Sequence, residues 1–185
     1  MVELACTPGQ TVGPFFQCAL PYPGDSHLVG DGHADAIRLH GIVYDGAGDP
    51  VPDALIELWQ LGPDGRVVRQ PGSLRRDGTT FTGWGRCATD AAGHYSFRTL
   101  LPGAPAGRAP YFALTVFARG LLDRLFTRAY LPHADSAADE MLGALDPARR
   151  KTLICTADGG EYRFDIHLQG AWETVFLTYR GGVPG

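Results

Sequence analysis

The sequence predicts an all-β protein, a two-layer β-sandwich of about eight strands with a long N-terminal arm and one or two short helices. Three observations carry that prediction. The 185 residues include 25 glycines and 14 prolines and only 19% charged residues, the composition of a chain that turns often. Between the turns, runs alternate apolar and polar side chains, as strands with one buried face do. Helix-start signals occur only late in the chain. The length suits a single domain with one continuous core.

Taken in order, residues 1–36 read as an arm, because TPGQTVGPFFQCALPYPGDSHLVGDGHADA interleaves Pro, Gly and polar residues with short aromatic pairs. The sandwich domain spans 37–185. It opens with IRLHGIVYDGAGDPVPDALIELWQ, two β-rich runs around Asp45-Gly-Ala-Gly-Asp49, which predict a hairpin. Leu55, Glu57 and Trp59 alternate with Ile56, Leu58 and Gln60, and neither set is cleanly polar, as expected of a strand between two layers. The stretch from Leu61 to Arg86 is expected to be a surface excursion. Asp90-Ala-Ala-Gly93 turns into the run His94 to Thr99, and Pro102-Gly103 with Pro105 and Gly107 leads into GRAPYFALTVFARG, residues 107–120. Leu125 to Leu131 add a strand. Ser136-Ala-Ala-Asp139 before Glu140, and Asp146 before Pro147, predict two short helices. YRFDIHLQG and ETVFLTY predict two closing strands.

A net charge of -4 with no basic run excludes a nucleic-acid surface. Cys6, Cys18, Cys87 and Cys155 form no C-x-x-C pair and read as reduced thiols. The stretch MVELACTPGQ has no basic or long apolar region, and no segment reaches the roughly 20 apolar residues of a membrane span, which predicts a cytoplasmic protein and no membrane contact. Asp25, His27, Asp31, His33, Asp35 and His40 are potential ligands in a glycine-rich loop with nothing to fix their rotamers, so the loop is read as ordinary rather than as a metal site. Gly83-Trp-Gly-Arg-Cys-Ala88 fits G-x-G-x-x-A but leads into a strand instead of opening a helix, so it is not a dinucleotide fingerprint. No G-x-S-x-G elbow exposes a serine nucleophile. Arg119, Arg124 and Arg128 suit either an anionic ligand or pairing with nearby carboxylates.

Three segments together resemble the intradiol ring-cleavage dioxygenases: TPGQTVGPFF resembles the family's arm motif, LHGIVYDGAGDPVPDALIELWQLGPDG its central hairpin, and TDAAGHYSFRTLLPG the strand leading to its active site. With YRFDIHLQG, the resemblance runs from Thr7 to Tyr179. It implies a family that holds a non-haem ferric ion with two tyrosines and two histidines. The histidine pair, H-x-H after an Arg, falls here on Tyr111 and Ala113 after Arg108. One tyrosine would precede Gly85-Arg86, yet no tyrosine lies between Tyr44 and Tyr95. The other would follow Pro102-Gly103, where Ala104, Pro105 and Ala106 stand. Tyr111 and Ala113 are therefore expected to be vestigial ligand positions, with no metal held by this chain and Tyr111 filling space.

The resemblance supplies a reason for the loss. Paired-chain members of the family join a smaller iron-free alpha chain to a homologous beta chain that carries Fe(III), and this chain resembles the alpha chain. The implied reaction is cleavage of protocatechuate by O2 to 3-carboxy-cis,cis-muconate, with several alpha-beta pairs in the assembly. No catalytic residue is expected in this chain. Thr11, Gly13 and Pro14 are implied to wall the partner's substrate pocket, and Arg128 to favour the substrate's carboxylate. The alternative is a non-catalytic β-sandwich binding or interaction module, which would explain the missing ligands without a partner.

Overall fold

The structure is a computed structural model, and it describes residues 11, 13, 15–70, 76–105, 107–133, 135, 137 and 139–179. Nine strands among these residues form two sheets. One sheet contains β1 (Ile37–Tyr44), β4 (His94–Thr99), β7 (Thr156–Asp158), β8 (Glu161–Arg163) and β9 (Ile166–His167), in the order β4-β1-β8-β7 with β9 on the far end of β1. The other contains β2 (Leu55–Trp59), β3 (Trp84–Ala88), β5 (Tyr111–Phe117) and β6 (Leu125–Tyr130), in the order β3-β2-β5-β6, antiparallel throughout.

The alternation read from the sequence sets the core between the sheets. Leu39 and Val43 of β1, Tyr95 and Phe97 of β4, Ile56 and Leu58 of β2, and Phe112, Leu114 and Val116 of β5 are all at most 1% exposed. Each such side chain contributes about 1.5–3 kcal/mol by leaving water. The buried Tyr95 hydroxyl donates to Phe164 O at 2.5 Å, which satisfies its one polar atom. Gly41 is required beside it, since a Cβ there would stand 1.9 Å from the same carbonyl.

Several expected elements are corrected, among them the excursion from Leu61 to Arg86, which ends earlier because residues 84–86 already lie in β3. The Asp45–Asp49 turn closes, with Asp45 N donating to Asp49 O and Val51 N to Val43 O, both at 2.9 Å, and Tyr44 bridging Pro50. Pairing stops there. Pro50 and Pro52 have no N–H to extend a ladder, so the chain crosses over and β1 and β2 lie in different sheets instead of forming a two-strand hairpin. The run ETVFLTY is not a strand. It lies along β6 through Leu177 N to Phe126 O (2.8 Å) and the Thr127 hydroxyl to Val175 O (2.8 Å), bonds too sparse for a ladder. YRFDIHLQG is split into β8 and β9, because the Asp165 carboxylate replaces a backbone acceptor for Ile42 N at 3.0 Å.

Among the described residues, three short helices flank the sheets. α2 (Glu140–Ala144) and α3 (Pro147–Lys151) start where predicted, with Asp139 and Asp146 each accepting from two backbone N–H groups. Ser136 lies outside the described residues. α1 (Phe15–Ala19) was not signalled in the sequence. The stretch read as an arm enters the core at Leu28, which is fully buried. There it bonds both sheets: Leu28 N donates to Arg98 O of β4 at 2.8 Å, and Arg86 N of β3 donates to Asp25 O at 3.0 Å.

Candidate functional site

The outward face of β5 carries Tyr111, Ala113, Thr115 and Phe117, all half-buried. Ala113 pairs with Arg128 on β6 and with Trp59 on β2, while Tyr111 pairs with Tyr130. Because residue 113 is only a methyl, the Arg128 side chain has room to fold back, and its guanidinium lies 4.2 Å from the Tyr111 ring centroid. Its Nη1 donates to the Tyr130 hydroxyl at 3.1 Å. That hydroxyl lies 3.4 Å from both Asp139 oxygens. Asp139, 1% exposed, also caps α2 and accepts from Ala109 N at 3.3 Å.

The electrostatics follow from this stacking. Burial pushes the Tyr130 phenol up to about 12, against the opposing pull of Arg128. Burial also works against the Arg128 charge, but the bond to Tyr130 and the neighbouring phenols hold its pKa above the ordinary value. Arg128 is therefore a permanent cation in the place where the resemblance puts the family's metal ligands.

A ferric ion does not fit the residues present. Ala113 has no lone pair to give, and a guanidinium already lies over Tyr111 and would repel a second cation there. Tyr111 instead packs against Arg128 and, at 5.5 Å between centroids, against Tyr130. The loop ligands also have other partners. Asp31 pairs with Arg98 at 2.8 Å and His27 at 3.5 Å, His33 Nδ1 accepts from Asp35 N, His40 faces Glu161 at 3.6 Å, and Asp25 accepts from Tyr22 N. Among the described residues no three His, Cys, Asp or Glu side chains converge as a metal site.

The other implied site residues lie apart from Arg128. The Thr11 hydroxyl accepts from Gly120 N at 2.7 Å, at the hairpin end of β5 and β6, and Gly13 has φ +60, a value suited to glycine. Pro14 lies outside the described residues. Nearby, Phe16 of α1 packs edge-on against Phe117 at 5.3 Å. Arg128 is level with Ala113, four residues up the strand from Phe117, or about 13 Å at ~3.3 Å per residue. Of the other two arginines, Arg119 pairs with Asp53 at 3.0 Å and Arg124 lies over Phe126 at 5.1 Å. The remaining thiols, Cys18, Cys87 and Cys155, are free, and Cys6 lies outside the described residues.

Sequence reasoning missed Tyr130 and Asp139. The two-residue spacing of Arg128 and Tyr130 in LFTRAY placed both on one strand face, a signal that was readable. Asp139 was read only as a helix cap. No helix among the described residues is long and apolar enough to cross a membrane.

The dioxygenase family model matches residues 13–111. The chain is 37% identical to the protocatechuate 3,4-dioxygenase alpha chain of Burkholderia cepacia over 197 aligned positions, covering 96% of this chain and 99% of that one. It is 34% identical to the beta chain from the same organism, covering 76% and 67% respectively. Among solved structures, the dioxygenase domain of a carbohydrate-binding fusion from Streptomyces sp. SirexAA-E superposes with a TM-score of 0.60 at 27% identity, covering 89% of this chain and 99% of that domain. Motifs, sandwich and relatives agree, and the chain belongs to the intradiol ring-cleavage dioxygenases.

Proposed function

We propose that this chain is the iron-free alpha subunit of a protocatechuate 3,4-dioxygenase and pairs in the cytoplasm with a homologous beta chain that binds Fe(III). The observation that carries the reading is the outer face of β5, where Tyr111, Ala113 and the overlying Arg128 leave no ferric site in a chain that otherwise keeps the family's fold. The similarity to alpha chains over almost the whole length supports it. The match to a beta chain supports a partner of the same ancestry.

In this reading a ferric ion held by the partner's residues would supply the activation of protocatechuate toward O2, for cleavage of the bond between its two hydroxyl-bearing carbons to 3-carboxy-cis,cis-muconate. This chain binds, orients and excludes water. Thr11, Gly13 and Pro14 form a wall beside the substrate ring, where a side-chain-free backbone approaches a flat aromatic closely. Arg128 has one nitrogen on Tyr130, and its charge favours the substrate's carboxylate electrostatically.

The test is production of this chain with and without a homologous beta chain, followed by metal analysis and protocatechuate-dependent oxygen uptake. Iron, colour and turnover are expected only in the mixed complex. Stoichiometric Fe(III) and turnover in this chain alone would refute the reading. Failure to associate with any beta chain would favour a free-standing binding module. In the complex, Arg128→Ala is expected to raise KM for protocatechuate about tenfold with iron content unchanged. Unchanged kinetics would remove Arg128 from the site.

A further inference from the structure

Where the arm crosses the four-stranded sheet it is bonded by two arginines that the reading above does not use. Arg86 stands on the outer face of β3 with its side chain 14% exposed. Its Nη2 pairs with Glu57 of β2 at 3.1 Å, and its Nη1 donates to the arm carbonyl of Leu20 at 3.1 Å. The guanidinium lies 5.0 Å from the Trp84 ring and 6.0 Å from Tyr22 of the arm.

Arg76 reaches the same place from the excursion before β3. Its Nη2 donates to the Tyr22 hydroxyl at 3.3 Å, to Asp25 O at 3.2 Å and to Trp84 O at 2.9 Å, and its Nη1 donates to the Thr82 hydroxyl. Both arginines share Tyr22 and Trp84, and between them they hold the arm carbonyls of Leu20 and Asp25. The Nε atoms of both are buried without a partner, a desolvation cost that a simple surface ion pair would not incur.

The strand is shaped for this contact. A Cβ on Gly85 would stand 2.6 Å from Leu28 Cδ1 and 2.7 Å from Asp25 O, so the arm passes only because residue 85 has no side chain. The GWGR motif, which is not a nucleotide fingerprint, thus supplies a gap for the arm and an arginine beside it.

We propose that Arg86 and Arg76 are positioning residues, a two-arginine clasp that fixes the arm's path across the sheet up to Asp25 and so sets where Thr11 and Gly13 are presented. The functional half of this proposal rests on the reading that the arm walls the partner's substrate pocket. Carbonyl acceptors suit that task, because a forked donor fixes direction as well as distance, which apolar packing alone does not.

The assembled complex of full-length chains tests it, with chymotrypsin cleavage within residues 15–22 measured beside steady-state kinetics. Arg86→Ala is expected to speed cleavage about tenfold and raise KM for protocatechuate by a similar factor, with kcat within about twofold. Arg86→Lys keeps the charge and loses the fork, so it is expected to recover the melting temperature but neither the cleavage rate nor KM. Cleavage rates equal to wild type in both variants would overturn the clasp, whatever happens to KM. Faster cleavage with unchanged KM would leave the clasp standing and refute instead the placement of the arm at the substrate. If Arg86→Ala does not assemble, Arg76→Ala carries the same paired measurement and the same outcomes.

Discussion

Two stretches of chain lie over the outer face of the four-stranded sheet, and they are held there by different physics. Beside β6, the segment from Asp139 to Leu153 and, farther along the chain, Val175 are held in an apolar cluster of Ala109, Tyr130, Leu142, Leu153 and Val175, each at most 8% exposed, with the buried Asp139 beside them. Over β3 and β5, the arm is held by arginine bonds to its carbonyls, a single aromatic edge contact and the Thr11 hydroxyl. The first covering is a buried apolar cluster of its own and is expected to unfold with the sandwich. Up to Asp25 the second fixes direction with little buried apolar area, so that part is expected to be released while the sandwich stands, whereas Leu28 and Val29 beyond it are buried in the core.

The largest expected effect is on the apolar side. Leu142→Ala removes a fully buried side chain from the smaller cluster and is expected to lower global stability by about 3 kcal/mol, read as a shift of the urea midpoint. A loss below about 1 kcal/mol would mean that this covering also moves independently of the core.

On the arm side, Phe16→Ala removes the half-buried ring that rests on Phe117, and global unfolding is expected to shift by less than about 1 kcal/mol, while amide exchange in residues 15–22 accelerates. A global loss comparable to that of Leu142→Ala would erase the contrast between the two regions.

The last effect is confined to alkaline pH. The Tyr130 phenol is raised from 10 to about 12, so the unfolded chain ionises first, and the stabilisation it confers is intact below pH 10 and lost as pH rises toward 12. Tyr130→Phe is expected to flatten the stability profile across that window and leave it unchanged in shape at neutral pH. An identical alkaline slope in the variant would place the titrating group elsewhere.

The strands were legible because local pattern reports on burial: His94 to Thr99 follows from period two, and Tyr111 to Phe117 from an aromatic and aliphatic run bounded by turn residues. The Asp45–Asp49 turn was legible too, but turn chemistry is local and does not say which sheet receives the next strand. That was decided by Pro50, Pro52 and the two-layer packing. ETVFLTY alternates convincingly, yet a strand needs a partner edge, and only scattered bonds to β6 and β9 remain for it.

The site was legible by composition more than by geometry. Tyr111 and Ala113 in place of a histidine pair were visible in the letters, whereas the guanidinium over Tyr111 depends on a register between strands that no local pattern encodes. Leu28 was hidden for a related reason. One leucine and one valine in a glycine-rich stretch carry no periodicity, although the long-range bonds to Arg98 and Thr82 bury them as firmly as any strand.

The small side chain of Ala113 has one more consequence. Its gap is filled by a neighbour that brings its own fixed positive charge, so imidazoles placed at positions 111 and 113 would offer donors in an environment hostile to a ferric ion. Building such a site here would therefore require the removal of Arg128 before the ligands are added, an order that no single substitution satisfies.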